Sequence, residues 1–203
     1  MTSRTLFASI ALLMSAASSG VGSTADHATM LRQLDQVCSW TGLRRLGDLR
    51  NLNYWKQGGD AGCKAKVLIA VEGKRADYDI EFRRERGALK FWALLAPDSL
   101  WAPNRSDWRG FKGIGYDTLK DRRERAFALA AVNKLNRHLR WHWSSDAAMQ
   151  KIGTHILVVF ETISPQQKKE PAWFLRYVDP YDSFVVSPKG TVIEAARTPG
   201  NDS

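Results

Sequence analysis

Two histidines lie four residues apart in NRHLRWHW, residues 136–143, beside two arginines and two tryptophans. On a helix, side chains four residues apart share a face, so His138 and His142 could both reach one metal ion. A zinc protease with this spacing needs a glutamate after the first histidine, and none is present here. Arg140 adds a positive charge that opposes cation binding. The segment therefore predicts a packed helix end with no metal or cofactor, His142 at the core edge and His138 at the helix rim.

Acidic residues elsewhere give weak evidence for catalysis. Asp77, Asp79 and Glu81 alternate along one predicted strand, with about 7 Å between successive carboxylates. Paired carboxylates can perform acid–base chemistry, but this alternation is typical of the solvated face of an amphipathic strand. His155 and Glu161 lie at opposite ends of another predicted strand, about 20 Å apart, which is too far for a direct pair. The sequence also lacks the G-x-S-x-G, P-loop and G-x-G-x-x-G motifs.

An aromatic and basic segment covers residues 96–116, APDSLWAPNRSDWRGFKGIGY. It is too irregular for a helix or strand, and loops of this length usually pack or function. Tryptophan and arginine are enriched among the residues that dominate protein interfaces. We therefore predict a contact surface here, and the alternative is that the tryptophans fold back over the core. The predicted binding residues are Trp101, Arg105, Trp108, Arg109 and Lys112.

Periodicity predicts the elements that must position these residues. Apolar residues three and four apart predict a helix over 26–56, with a break near Gly42, followed by a loop over 57–62. A second, long helix is expected over 117–141, with Thr118 as its N-cap and Asp121 three residues on. Alternating or continuous apolar runs predict seven strands. These are 66–73, 76–85, 88–95, 154–163, 172–179, 183–188 and 191–196.

The order of predicted elements is helix, three strands, long helix, four strands. Because strands follow strands directly, we predict an α+β fold in which an antiparallel sheet packs against helices in one domain. The closing segment WFLRYVDPYDSFVVSPKGTVIEA, residues 173–195, resembles the last hairpins of small exported cystatin-like or NTF2-like domains. That resemblance covers these hairpins alone and implies no site residue.

The start of the chain differs in composition from the rest. Residues 1–25 hold one charged residue, Arg4, then an apolar run and small residues that end in Ser-Thr-Ala. This predicts a signal peptide cleaved after Ala25, because the apolar run is too short to cross a bilayer. We expect one domain over 26–196, a flexible tail over 197–203, and no membrane anchor after cleavage. Cleavage removes Arg4 alone among the charged residues, so the net charge falls from +9 to +8.

The chain contains two cysteines, Cys38 and Cys63. In an oxidising compartment two cysteines most often pair, and the bridge would stabilise the fold by roughly 3 kcal/mol. The sequence therefore predicts a disulfide that ties the first helix to the segment after the 57–62 loop. The alternative is two buried free thiols. No C-x-x-C redox motif is present.

Together these features predict an exported protein, periplasmic or secreted, that binds a partner and does not catalyse a reaction. Its basic character and the 96–116 segment suit a protein or an anionic envelope polymer. Nucleic acid is not expected, because no RRM, KH, zinc-finger or helix-turn-helix signature is present. Two alternatives stay open. One is an immunity or inhibitor protein against a secreted toxin, and the other is an envelope hydrolase that pairs His142 or His155 with a distant acid. The sequence does not define the oligomeric state.

Overall fold

A computed structural model describes residues 24–57, 59–101, 117–143, 146–161 and 181–198. In chain order the elements are α1 (Thr24–Thr41), β1 (Arg44–Arg45), β2 (Arg50–Gln57), β3 (Asp60–Val71), β4 (Lys74–Glu85), β5 (Ala88–Leu95), a 3-10 turn (Asp98–Leu100), α2 (Arg122–Leu139), β6 (Ala148–Ile152), β7 (His155–Glu161), β8 (Tyr181–Val186) and β9 (Val192–Thr198). The described strands form one sheet in the order β1-β3-β4-β5-β9-β8-β7-β6, and β2 pairs with β3 beside β1. Each described pairing is antiparallel. The predicted α+β class, with one domain and an antiparallel sheet, is confirmed.

The two halves of the chain have the same order of elements, a helix followed by an antiparallel meander. Helix α1 is followed by the meander β2–β5, and α2 is followed by the meander β6–β9. The last strands of the two meanders, β5 and β9, pair at Ala93 with Ala196 and at Leu94 with Ala195, which makes one continuous sheet. Helix α1 packs on β1 and β5, whereas α2 packs on β7, β8 and β9. The two helices also contact each other, so both lie over the joint between the halves.

Helix α1 ends earlier than its sequence pattern suggests. Thr41 Oγ1 donates to the carbonyl oxygens of Val37 and Cys38, and Gly42 then adopts a left-handed φ of +80°. The predicted continuation of the helix to residue 56 is wrong, because that stretch forms β1 and β2. Its leucines are spaced by three and fit a helical stripe, but backbone pairing of Arg50–Gln57 with β3 overrides this local preference.

The second helix is also shorter than predicted. Its N-cap is Asp121 instead of Thr118, because Asp121 Oδ1 accepts hydrogen bonds from the backbone N–H groups of Arg123 and Glu124. The backbone N–H of Thr118 donates instead to the carbonyl of Met149 in β6. The N–H of Leu119 donates to the same carbonyl, so the stretch before Asp121 lies beside β6.

The strand predictions fare better. Strands β3, β4 and β5 contain the predicted strands 66–73, 76–85 and 88–95 almost entirely, although β3 already begins at Asp60 inside the predicted loop. Strands β7, β8 and β9 correspond to the predictions near 154–163, 183–188 and 191–196. Strand β6 was not predicted, so the expected order of elements is matched only in part. The predicted strand 172–179 lies outside the described residues.

The core lies between the sheet and the two helices. Alternate residues of β3 and β4 supply much of it, namely Val67, Ile69, Tyr78, Ile80 and Phe82. This alternation is the period of two that predicted β4 from the sequence.

In the part of the chain that the structure describes, no helix is both long and apolar enough to cross a membrane.

Candidate functional site

A cleft of about 770 Å³ lies where the second half of α1, the start of β5 and the end of α2 meet. Its floor is apolar and comes from all three elements: Val37, Phe91, Leu139 and Trp141. Its rim is polar and aromatic and carries more basic than acidic side chains: Arg32, Gln33, Gln36, Trp40, Glu85, Lys90, Trp92, His138, Arg140 and Arg197. We call this site the basic cleft. It spans the joint between the two halves of the fold, a common place for a binding site.

Three exposed cations of the basic cleft have no acidic partner among the described residues. They are Arg32 on α1, Lys90 on β5 and Arg140 after α2. Glu85 is the one acidic side chain in the described lining of the cleft, and it makes no ion pair there. Cations gathered around one concave surface make the local electrostatic potential more positive.

Arg140 is held at the rim by the way α2 ends. Its backbone is left-handed, with φ +56° and ψ +35°, and its N–H donates to the carbonyl of Asn136. This conformation costs a non-glycine residue about 1 kcal/mol. The side chain of Asn136 offsets the cost, because it accepts from the N–H of Trp141 and donates to the carbonyl of Trp141, both at 2.9 Å. We call these two hydrogen bonds the Asn136 clamp. The clamp directs the Trp141 side chain into the floor of the cleft and leaves Arg140 exposed.

His138 and His142, which the sequence analysis considered as a metal pair, are separated by this helix end. The ring of His138 stacks on Trp40, with centroids 4.6 Å apart and planes 8° from parallel, and so joins the ends of the two helices. His138 is exposed at the helix rim, as predicted. The prediction for His142 is wrong, because it is exposed while Trp141 occupies the core. The described residues hold no cluster of three or more metal-binding side chains.

A row of alternating tryptophans and arginines leads into the basic cleft. We call it the tryptophan–arginine ladder: Trp55, Arg83, Trp92, Arg197 and Trp141. The guanidinium of Arg83 lies 5.3 Å from the ring centre of Trp55 and 4.5 Å from that of Trp92. The guanidinium of Arg197 lies 5.6 Å from Trp92 and 4.7 Å from Trp141. Each contact is in the range of a cation–π interaction, so the ladder stiffens the wall of the cleft.

Two local features of the sheet make the ladder possible. Gly62 pairs with Trp55 on one side and with Arg83 on the other, and it leaves room for the Trp55 ring to reach across β3. Trp92 lies at a β-bulge, because Glu81 pairs with Ala93 while the next residue, Phe82, pairs with Phe91. Bulges re-aim side chains and occur often beside functional sites.

Asp182 neutralises the arginine at the cleft end of the ladder. It is fully buried, and both of its oxygens accept from Arg197, from Nε and Nη2, at 2.9 Å each. Trp143 Nε1 also donates to Asp182 at 2.9 Å, and the Trp143 ring stacks on Phe160 with centroids 3.8 Å apart. Arg197 is therefore held inside the protein by a bidentate ion pair. Arg32, Lys90 and Arg140 have no such ion pair among the described residues.

The structure describes one of the five predicted binding residues. Trp101 is 2% exposed and packs in the core. The other four, Arg105, Trp108, Arg109 and Lys112, lie outside the described residues.

Sequence reasoning found part of the basic cleft and missed the rest. It singled out His138, Arg140 and Trp141 but not Lys90 and Trp92 on β5. Lys90 and Trp92 are two residues apart in a correctly predicted strand, so they lie on the same face of the sheet. That spacing is the signal in the sequence that could have placed them at one site.

In the structure Cys38 and Cys63 are both buried free thiols, and the disulfide between them stays a prediction. The two thiols have different surroundings, with Asp35 and Arg45 beside Cys38 and Tyr54 beside Cys63. Burial raises the pKa of Cys38 to about 11 and also raises the pKa of Cys63. Both thiols are therefore protonated at neutral pH.

A second, smaller cavity of about 180 Å³ contains His155 and Glu72. Burial lowers the pKa of His155, and the charge of Glu72 opposes this shift. Ser187 is also near, but its hydroxyl donates to Glu72 and accepts from the N–H groups of Lys189 and Thr191. This serine caps the turn between β8 and β9, and its backbone N–H donates to the carbonyl of Thr191.

No protein-family model matches the chain, and neither the curated proteins nor the solved structures include a match to it.

Proposed function

We propose that the chain is an exported binding protein without catalysis of its own, and that the basic cleft receives its anionic ligand. The observation that carries this proposal is a set of three cations around an apolar floor, Arg32, Lys90 and Arg140, none of which has an acidic partner in the part of the chain that the structure describes. The chain as a whole carries a net charge of +9, which favours encounter with an anion. The periplasmic or secreted location rests on residues 1–25, and the surface over 96–116 remains a second proposed contact.

The support for binding comes from how the site is built. Its cations stand on three different elements, and the rigid ladder and the Asn136 clamp hold two of the cleft walls. A site fixed in this way loses little conformational entropy when a ligand arrives, and this favours affinity.

Binding can be tested with a double charge reversal in the basic cleft. The purified chain is titrated with fluorescently labelled poly-L-glutamate, polygalacturonate and single-stranded DNA at low and at physiological salt. We expect Arg32→Glu with Arg140→Glu to weaken the best of these interactions at least about tenfold, or 1.4 kcal/mol. The matched control is Arg44→Glu with Arg75→Glu, since both arginines are exposed and lie outside the cleft.

The control makes the outcome decisive. If the two double variants lose affinity equally, net charge explains the binding and the basic cleft is not the site. A third variant, Trp108→Ala with Arg109→Ala, separates the cleft from the 96–116 surface, because its affinity should stay unchanged if the cleft alone binds the ligand.

A further inference from the structure

The tryptophans of the basic cleft already have ring or cation partners. Trp141 has Arg197 at 4.7 Å and Phe91 stacked at 6.4 Å with planes 12° apart. Trp92 has both ladder arginines within cation–π range. Trp40 stacks on His138. Proteins that bind single-stranded nucleic acid offer aromatic faces on which bases stack. Because these rings already have stacking or cation partners, they leave few open faces for bases, and recognition rests on the cations and on the part of the apolar floor that faces the cleft.

The cleft has the layout of a protein-binding surface. Most of its exposed lining is polar, but its centre holds a small apolar area from Phe91, Trp141 and Leu139, and its rim carries the three cations without an acidic partner among the described residues. Protein interfaces combine an apolar centre, enriched in aromatic residues, with a polar rim that often includes arginine. A polyanion without apolar groups would satisfy the rim and leave the floor unused.

The length of the site fits a short extended peptide. Arg32, Gln36 and Trp40 line the cleft from α1 at intervals of four residues, so they form one row along the helix. The row is about 12 Å long at the helical rise of 1.5 Å per residue. An extended chain covers that length with about four residues. A ligand of this size can place one apolar side chain on the floor and carboxylates at both ends of the row.

We propose that the ligand of the basic cleft is an acidic segment of a partner protein, with an apolar side chain between its carboxylates. The proposal rests on the function proposed above and adds the class of partner. The carboxylates pair with Arg32, Lys90 and Arg140, and the apolar side chain packs on Leu139, Phe91 and Trp141.

Defined peptides test this inference. The probe is a labelled heptapeptide with phenylalanine between two runs of three glutamates, and its partner peptide has serine at the centre. Binding to the full chain is measured by fluorescence anisotropy at physiological salt. We expect the phenylalanine peptide to bind at least about tenfold more tightly than the serine peptide, because its ring leaves water. Equal affinities would overturn the proposal, as would tighter binding of polygalacturonate or single-stranded DNA.

A substitution in the apolar floor tests where the phenylalanine side chain of the peptide binds. Leu139→Asn should remove most of the difference between the two peptides while the serine peptide still binds. Leu52→Asn is the matched control, because Leu52 is an exposed leucine on β2 outside the cleft, and it should preserve the difference. If Leu139→Asn lowers the melting temperature strongly, Leu139→Ala takes its place. A difference that survives the floor variant places the apolar contact elsewhere and overturns the proposal.

The outcomes separate the two proposals. If both peptides bind equally and the Arg32→Glu, Arg140→Glu variant binds neither, the basic cleft is an anion site and only the class of partner is wrong. If neither peptide nor any polyanion responds to that charge reversal, the proposed function itself fails.

Discussion

The side chain of Gln33 on α1 accepts a hydrogen bond from the backbone N–H of Phe91 on β5, at 2.7 Å. Its amide nitrogen also donates to the carbonyl of Leu89, at 2.7 Å. Strand β5 meets β9 only at Ala93 and Leu94 among the described residues, so the start of β5 has no strand on that side. The amide of Gln33 takes the place of the missing strand at the edge of the basic cleft.

Removing this amide should destabilise the fold. Gln33→Leu leaves a backbone donor and a backbone acceptor of β5 without partners in a partly buried place. Unpaired groups of this kind cost about 1–3 kcal/mol, so we expect the free energy of unfolding to fall by about 2 kcal/mol, measured in urea. Gln36→Leu is the control, because Gln36 is exposed on the same helix, and its effect should stay within about 0.5 kcal/mol. Equal losses in the two variants would mean that the amide does not support β5.

Gly62 should not tolerate a side chain. A Cβ atom there would lie 2.4 Å from the carbonyl oxygen of Phe82 and 2.7 Å from the Trp55 ring. The backbone oxygen cannot move without disturbing β4, so Gly62→Ala should cost about 2 kcal/mol, a value typical of overpacking. Gly47→Ala is the control, because nothing lies within 4 Å of a Cβ at that position. A thermal melt of both variants measures the difference, and similar melting temperatures would contradict the clash.

The buried thiol of Cys38 should make the protein less stable in alkali. Burial raises the pKa of Cys38 from its ordinary value of 9.0 to about 11. The stability that this thiol contributes is complete below about pH 9 and is lost as the pH rises through about 11, because the unfolded thiol ionises first. We expect Cys38→Ala to flatten the fall in unfolding free energy between these pH values by up to about 2 kcal/mol.

A thiol assay checks the premise of that prediction. In the native protein at pH 8, a charged thiol reagent should react with neither cysteine, and after unfolding without reductant it should count two thiols. A count of zero after unfolding would mean that Cys38 and Cys63 are bridged, and the alkaline effect would then disappear.

The sequence predicts those parts of the fold that depend on neighbours along the chain. The alternation of Tyr78, Ile80 and Phe82 identifies β4, because one face of that strand meets the core. The same method fails for residues 44–56, where leucines three apart fit a helix although pairing with β3 decides the conformation.

The basic cleft, too, could be predicted from the sequence only where its residues are neighbours along the chain. His138, Arg140 and Trp141 stand together in one conspicuous segment, and the sequence analysis examined them. Their partner Arg32 lies on the other helix, and nothing near it in sequence marks it. The pairing of β5 with β9 helps to bring α1 and the end of α2 together, and that pairing has no local signature.

The joint between β5 and β9 also has a consequence for how the molecule assembles. Contacts within each meander link residues near in sequence, and such contacts form early in folding. The contacts between the halves, such as those of Glu72 with Ser187 and of Ala96 with Glu194, close loops of about 100 residues and should form late. The basic cleft exists only after that step. A ligand bound in the cleft would therefore hold the two halves together, and the melting temperature would rise with the ligand concentration. Binding of the ligand and the last step of folding would then be thermodynamically coupled.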